Sequence, residues 1–286
     1  MHVTCYQLPM SRSFVLSEID ISFITGLNVN YLNHLNYIKS YTDDDILNLR
    51  NDLLKTLPSG SGWPYGMPAS IAPKLVLIGV SMGGSPASID LNSDMNGDDC
   101  LFSDTKAAKE LKKHFYYPDK RHYWDKLRML SHMYFKYRCP EISEGDAVSM
   151  TSHLNLGTGS AGRATVFDVD DHIIGWVSKL LNEKLCPDLV VLFGLKKILT
   201  NKDVSRSWNI DGGLNLDWSN PCNTFDFLDD KSNRKYKFNQ WIVTNSQGHR
   251  FKLVLWPNHP SRPPFSDVHK WEQSIIQFVR HNSTII

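Results

Sequence analysis

The sequence predicts an α/β fold, in which a single domain has a mostly parallel central sheet flanked by helices. Two observations lead to this prediction. Continuous apolar runs of strand length alternate along the chain with amphipathic segments of helix length, which is the pattern of parallel strands joined by helical crossovers. The chain also has 286 residues, of which 41% are hydrophobic and 21% charged. That is enough apolar material for one large domain or two small ones.

Three segments are predicted as core strands and a fourth as a hairpin. Residues 74–80 (KLVLIGV) and 187–194 (PDLVVLFG) are apolar runs with a glycine at or near the end, as expected of strands buried on both faces. Residues 146–156 (DAVSMTSHLNL) are more polar but are also predicted to form a strand. Residues 240–256 predict a β-hairpin with its turn at residues 246–248.

The helices are predicted from apolar residues that recur at helical spacing. In residues 43–57 the leucines follow acidic residues, which stabilise a helix N-terminus. Ser266 or Asp267 is expected to cap the last helix. The predicted helices span residues 43–57, 104–115, 122–137, 170–185 and 266–281.

Two parts of the chain fall outside this alternation. Residues 1–69 are expected to form a helical and extended N-terminal extension that packs on the core of residues 70–286. Within that core, residues 200–238 are polar and rich in Asn, Asp and Ser, and they are expected to be an insertion or a surface excursion.

Composition excludes several classes of protein. The five cysteines are scattered and lack a Cys-x-x-Cys pair, which argues against a disulfide framework or a zinc ribbon and for reduced thiols in the cytoplasm. No apolar run approaches the length of a membrane span, and the N-terminus lacks the pattern of a signal peptide. The histidines show no metal-ligand spacing. Net charge is only +1, and the mildly basic C-terminal part fits either a polyanion contact or solvated loops.

Residues 75–88 (LVLIGVSMGGSPAS) run from the first predicted strand into a glycine-rich turn. Its glycines have a purely steric interpretation, as a tight strand-to-helix turn. The Gly-x-Ser-x-Gly pattern around Ser81 also matches a nucleophile elbow, which would make Ser81 the nucleophile of a serine hydrolase. No oxyanion stretch precedes Ser81, however, and the pattern is not a P-loop because no Gly-Lys-Ser/Thr follows.

Two further stretches carry candidate site residues. In residues 152–162 (SHLNLGTGSAG), Asn155 ends a predicted strand, where its amide either caps a turn or reads the edge of a base. Near the C-terminus, His259 follows a strand and is stiffened by Pro260. This stretch is either a proline-rich connection or a site in which Ser261 holds a phosphate while Arg262 and Phe265 press into a duplex.

Together these stretches resemble the uracil-DNA glycosylase superfamily. Residues 79–83 (GVSMG) are similar to the family's Gly-x-Asn/Asp-Pro-Gly/Tyr motif, Asn155 to its base-reading Asn, and residues 259–261 (HPS) to its His-Pro-Ser motif. The resemblance covers roughly residues 70–280 and implies a three-layer α/β fold. It implies a metal-independent enzyme without cofactors that flips a nucleotide out of DNA and hydrolyses its N-glycosidic bond.

The resemblance also implies roles for individual residues. His259 would donate a hydrogen bond to the anion that develops on the departing base. Ser81 stands where the family has an Asn or Asp that positions water, and a carboxylate from the next loop is a candidate substitute: Asp90, Asp94, Asp98 or Asp99. Residues expected to form the base pocket are Gly79, Val80, Gly83, Phe102 and Asn155. Residues expected to contact DNA are Gly84, Ser85, Lys196, Ser261 and Arg262.

Gly83 stands where members of the resembling family carry a bulky Tyr, so the resemblance implies room beside the 5-position of a pyrimidine. The expected substrate is therefore a modified pyrimidine in DNA, and the enzyme would then act in defence against phage that carry hypermodified cytosine. The alternative substrate is uracil, which would give the enzyme a role in base-excision repair. DNA is the expected partner, and a cytoplasmic monomer is the expected state. Two alternatives stay open: a serine hydrolase with Ser81 as nucleophile, and a catalytically inactive DNA-binding module of the same fold.

Overall fold

The computed structural model describes residues 31–42, 44–45, 48, 52, 72–79, 118–156, 171–194, 206–229, 232–260 and 262–282. Across these ranges six strands form one sheet, and the helices named below pack on its two faces. The strands are β1 (Leu75–Gly79), β2 (Thr151–Asn155), β3 (Leu189–Phe193), β4 (Asn223–Asp229), β5 (Arg234–Thr244) and β6 (Arg250–Trp256). The helices are α1 (residues 31–39), α2 (Pro118–Lys136), α3 (Glu144–Ser149), α4 (Asp171–Glu183) and α5 (Val268–Asn282).

The strand order is β2-β1-β3-β6-β5-β4. The first four strands are parallel, and β5 and β4 continue the sheet in antiparallel pairing. The predicted α/β fold with a mostly parallel sheet is thereby confirmed. The chain passes from β1 to β2 on one side and later places β3 on the other side of β1. The carboxyl ends of β1 and β3 therefore form a switch point, the position at which open α/β sheets bind ligands.

Apolar side chains on both faces of the sheet make a three-layer structure. Alternation along β1 sends Leu75 and Leu77 into one core cluster and Val76 and Ile78 into the other. Helices α1, α2, α3 and α5 contribute to the first cluster, and α4 with residues 208–216 contributes to the second. Burial on both faces explains why β1 and β3 were readable as uninterrupted apolar runs.

The strand predicted over residues 146–156 is wrong in its first half. Residues 144–149 form α3, whose N-cap Ser143 accepts a hydrogen bond from the amide of Asp146 at 3.1 Å. A Ser cap followed by acidic residues stabilises the first turn of a helix. The strand β2 starts only at Thr151, where pairing with β1 begins.

The described part of segment 200–238 is not a surface excursion. It contributes β4 and the first half of β5 to the sheet and buries Trp208 and Leu214. In β4, Phe225 and Phe227 are buried and alternate with the exposed residues Thr224, Asp226 and Leu228. An edge strand with one solvated face has a polar composition, which concealed it in the sequence. Whether the segment is an insertion relative to the glycosylase family stays a prediction.

The remaining element predictions divide into confirmed and untested ones. Helices α2, α4 and α5, and the β5–β6 hairpin with its turn before Arg250, are confirmed. Asp267 caps α5, since its carboxylate accepts from the amide of Lys270 at 3.1 Å. The helix predicted over 104–115 and most of that over 43–57 lie outside the described residues. In the parts of the chain described, no helix is both long and apolar enough to cross a bilayer.

Helix α1 was not predicted, although it belongs to the core. Tyr31, Leu35 and Ile38 are buried in the first cluster. The Tyr31 hydroxyl donates to Asp188 Oδ2 at 2.7 Å, which ties the helix to the residue before β3. This part of the N-terminal extension therefore packs on the sheet domain.

Candidate active site at the carboxyl edge of the sheet

The ends of the parallel strands bring four sequence-predicted positions to one edge of the sheet. Gly79 ends β1 and pairs in register with Asn155 at the end of β2. His259 and Arg262 lie in the loop that follows β6. For Asn155 only the main chain is described. The other predicted site residues lie outside the described residues, and their roles stay predictions: Val80, Ser81, Gly83, Gly84, Ser85, Asp90, Phe102, Lys196 and Ser261.

The loop after β6 packs against the end of β3 at Gly194. The amide of Gly194 donates to the carbonyl of Trp256 at 3.1 Å. Gly194 has a φ of +66°, and a Cβ built on it would lie 3.0 Å from the amide nitrogen of His259 and 3.4 Å from its Cβ. A side chain at this position would therefore be strained and would push His259 away.

A buried lysine on α2 holds the same loop from its other side. Lys126 donates three hydrogen bonds to main-chain carbonyls, at 2.9 Å to Pro260, 2.5 Å to Phe265 and 2.9 Å to Ser266. An ammonium group has three hydrogens to donate, so these bonds use all of them. Inside the loop, the amide of Arg262 donates to the carbonyl of His259 at 2.9 Å. The segment that carries His259 is thus fixed at both ends.

The expectation that Phe265 inserts into a duplex is wrong. Phe265 is fully buried, and its ring packs against those of Trp256, Trp271 and Phe238 at centroid distances of 5.8, 6.1 and 6.4 Å. A ring in the core is not available to wedge between bases, so it anchors the loop instead. Arg262 on the same loop is exposed, and it remains a candidate for contacting a phosphate.

The electrostatics of the site keep His259 neutral. Partial burial of the imidazole lowers its pKa to about 4, and the positive charges of Arg262 and Lys126 add to the effect. A neutral imidazole at pH 7 has one N–H donor and one acceptor nitrogen. His259 is therefore suited to donating a hydrogen bond, and it is a weak base.

A second histidine of the site was missed by the sequence analysis. His153 is buried in β2, and this burial lowers its pKa to about 3, with a further contribution from the charge that His259 carries when it is protonated. It pairs with Leu77 in β1 and so lies on the face of the sheet that carries the first cluster. The position of this histidine within a strand, two residues before Asn155, could have marked it in the sequence as a candidate site residue.

Lys126 could not have been found in the sequence in this way, because its partners are more than 130 residues away.

Within the described ranges, no group of three His, Cys, Asp or Glu side chains is placed to hold a metal ion. The chemistry that the described side chains offer is hydrogen-bond donation from neutral His259 and positive charge from Lys126 and Arg262.

Comparison with known proteins does not place the chain in a family. No protein-family model, curated protein or solved structure matches it. The function must therefore be inferred from the geometry of the site and from the sequence motifs that surround it.

Proposed function

We propose that this protein is a DNA glycosylase that hydrolyses the N-glycosidic bond of a modified pyrimidine flipped out of DNA. The observation that supports the proposal most is the setting of His259. Its neutral imidazole lies at the carboxyl edge of the parallel strands, against Gly194, on a loop held by Lys126. Such a setting provides a rigid N–H donor at the edge of the sheet where α/β folds bind ligands.

Cleavage of a glycosidic bond creates charge that this setting stabilises. As the bond breaks, the departing base becomes negative and the sugar becomes positive. A fixed N–H of His259 that donates to the base stabilises this anion without reorganisation, and Lys126 and Arg262 add positive potential. The target nucleotide must leave the base stack, since its glycosidic bond is inaccessible inside a duplex.

The remaining roles follow from the sequence motifs. Asn155 ends β2 in register with Gly79, and its amide is proposed to select the base. Ser81, or Asp90 in its place, is proposed to orient the attacking water, and Ser261 to hold a phosphate of the flipped nucleotide. The small residue at Gly83 favours a pyrimidine with a substituent at its 5-position, which fits hypermodified phage DNA better than plain uracil.

The serine-hydrolase alternative has less support from the site. In that mechanism a histidine accepts the proton of the serine, and its pKa must lie near the working pH. The pKa of His259 is lowered to about 4, which makes it a poor general base. Under this alternative, Ser81→Ala would abolish turnover of a simple ester.

The inactive-module alternative is motivated by Ser81, which stands where the resembling family carries an Asn or Asp. Such a module would bind DNA in a salt-dependent manner and leave the glycosidic bond intact.

A single panel of labelled DNA separates the candidates, with uracil, 5-hydroxymethylcytosine or glucosylated hydroxymethylcytosine at one site. Alkali reveals abasic sites as strand breaks. We expect breaks at a 5-substituted pyrimidine. Binding without breaks on every DNA would support the inactive module and overturn the glycosylase proposal.

A further inference from the structure

Lys126 is a buried charge whose described contacts involve no carboxylate. Its side chain is almost fully buried, and its hydrogen bonds to described residues all go to main-chain carbonyls. Burial lowers the pKa of its ammonium, while the carboxylate of Asp267 acts in the opposite direction. Burying a charge is costly, and the three hydrogen bonds that Lys126 donates offset part of that cost. What the lysine achieves is to hold three main-chain carbonyls in one place.

The three acceptors bracket the loop that carries His259. Pro260 follows His259 directly, and Phe265 and Ser266 lie at the far end of the loop. The loop is also closed on itself, since the amide of Ser266 donates to the carbonyl of Arg262 at 3.0 Å. One ammonium group thus joins both ends of the segment to helix α2.

The groups that face His259 come from three elements. Arg262 belongs to its own loop, Lys126 comes from α2, and His153 comes from β2. Arg262 is exposed, so solvent screens its charge, whereas the charge of Lys126 is buried. Lys126 is therefore the less screened of the two positive charges beside His259.

We propose that Lys126 is a positioning residue for His259, which holds the His259 loop through three carbonyls and keeps a fixed positive charge near the imidazole. The positive charge opposes protonation of His259. It also stabilises the negative charge that develops on the group that accepts a hydrogen bond from the His259 N–H. The consequence for base release rests on the proposed glycosylase function. The effects on the loop and on the protonation of His259 are independent of that function.

The test compares Lys126→Met with a matched control, Lys252→Met. Lys252 is also a buried lysine, but it lies in β6, four residues before the strand ends, and pairs with Leu189 at the start of β3. NMR of histidine-labelled protein follows the titration of His259, and hydrogen exchange follows the amides of Arg262 and Ser266. In Lys126→Met we expect the pKa of His259 to rise and both amides to exchange faster. In Lys252→Met we expect neither change. An unchanged titration with unchanged exchange in Lys126→Met overturns the proposal.

A conservative variant keeps the test decisive if Lys126→Met does not fold. Lys126→Arg retains the charge, so the pKa of His259 should stay low while exchange of the two amides increases, because a planar guanidinium replaces the three-fold ammonium geometry. Titration of His259 near its ordinary value of 6.5 in the wild-type protein, or in Lys126→Arg, contradicts the proposal.

Base release then separates this inference from the proposed function. Single-turnover release should fall about 100-fold in Lys126→Met, with partial rescue in Lys126→Arg and an unchanged Kd for DNA, because a displaced donor affects the transition state more than binding. If the NMR results agree but no variant, wild type included, releases a base, the role of Lys126 stands and the glycosylase proposal fails. Release at the wild-type rate by a folded Lys126→Met overturns the catalytic consequence.

Discussion

The backbones of Gly194 and His259 approach closely, since a Cβ built on Gly194 would lie 3.0 Å from the amide nitrogen of His259. This contact region joins the end of β3 to the loop after β6, and a side chain on Gly194 would displace His259. Gly194→Ala should therefore disturb the site as well as the backbone. We expect it to lose about 1–2 kcal/mol of stability from the positive φ alone, and to slow base release at least about 10-fold by displacing His259.

Gly248→Ala is the matched control for this change. Gly248 also has a positive φ, +78°, but a Cβ there would meet nothing within 4 Å. Gly248→Ala should therefore lose a similar amount of stability but release the base at the wild-type rate. Urea unfolding and single-turnover base release measure the two effects. Equal activities of the two variants would show that the contact does not position His259.

The stability of the protein should fall as the pH drops from about 6.5 toward 4. Folding lowers the pKa of His259 to about 4 and that of His153 to about 3, from an ordinary value of 6.5. In this window the unfolded chain binds protons that the folded chain does not, so acid favours unfolding. We expect a loss on the order of 3 kcal/mol or more in the free energy of unfolding.

Urea unfolding at a series of pH values measures this slope. The variant His153→Gln carries no titrating group at position 153 and should flatten the profile between pH 6.5 and 4. A wild-type profile that is already level over this range would show that the two histidines are not held neutral by the fold.

Arg262→Gln should weaken DNA binding without changing stability, because the side chain is exposed at the proposed site. Removing one phosphate contact reduces the slope of log K against log salt by about one. The control is Arg250→Gln, since Arg250 is also exposed but begins β6, at the opposite edge of the sheet. Fluorescence anisotropy with labelled DNA at several salt concentrations measures both variants. An equal loss in the two proteins would indicate diffuse attraction instead of a site at Arg262.

Phe265→Ala should lower stability, and its effect on DNA binding should follow only from loosening of the loop that the ring anchors. The ring is fully buried among aromatic side chains, and truncating such a residue costs about 3–5 kcal/mol. Thermal unfolding and DNA binding at a temperature where the variant is folded separate the two effects. Weaker DNA binding with unchanged stability would restore the interpretation of Phe265 as a wedge.

The sequence was sufficient to predict the core of the sheet. Strands β1 and β3 are buried on both faces, so nearly every residue in them is apolar and their positions are readable locally. In contrast, β4 has one solvated face, and its pattern of alternating Phe and polar residues is short. The helix α3 was missed because its capping Ser143 precedes residues that also fit a strand.

The site was predictable only where a motif marks a strand end. His259 stands out beside prolines after an apolar run, and Asn155 before glycines. Lys126 lies 134 residues from its first partner, so only the folded chain brings them together. The burial that removes Phe265 from a role in DNA contact depends on α5 and β5, which no local pattern reveals.

Single-turnover base release by wild-type protein and His259→Ala is the most direct test of the proposed function. DNA that contains one 5-substituted pyrimidine is incubated with each protein, and mass spectrometry identifies the free base and the abasic strand. The account predicts that the wild-type protein releases the base, and that His259→Ala binds the DNA but releases it at least about 100-fold more slowly. Bound DNA with no free base in the wild-type reaction, or equal release by His259→Ala, would contradict it.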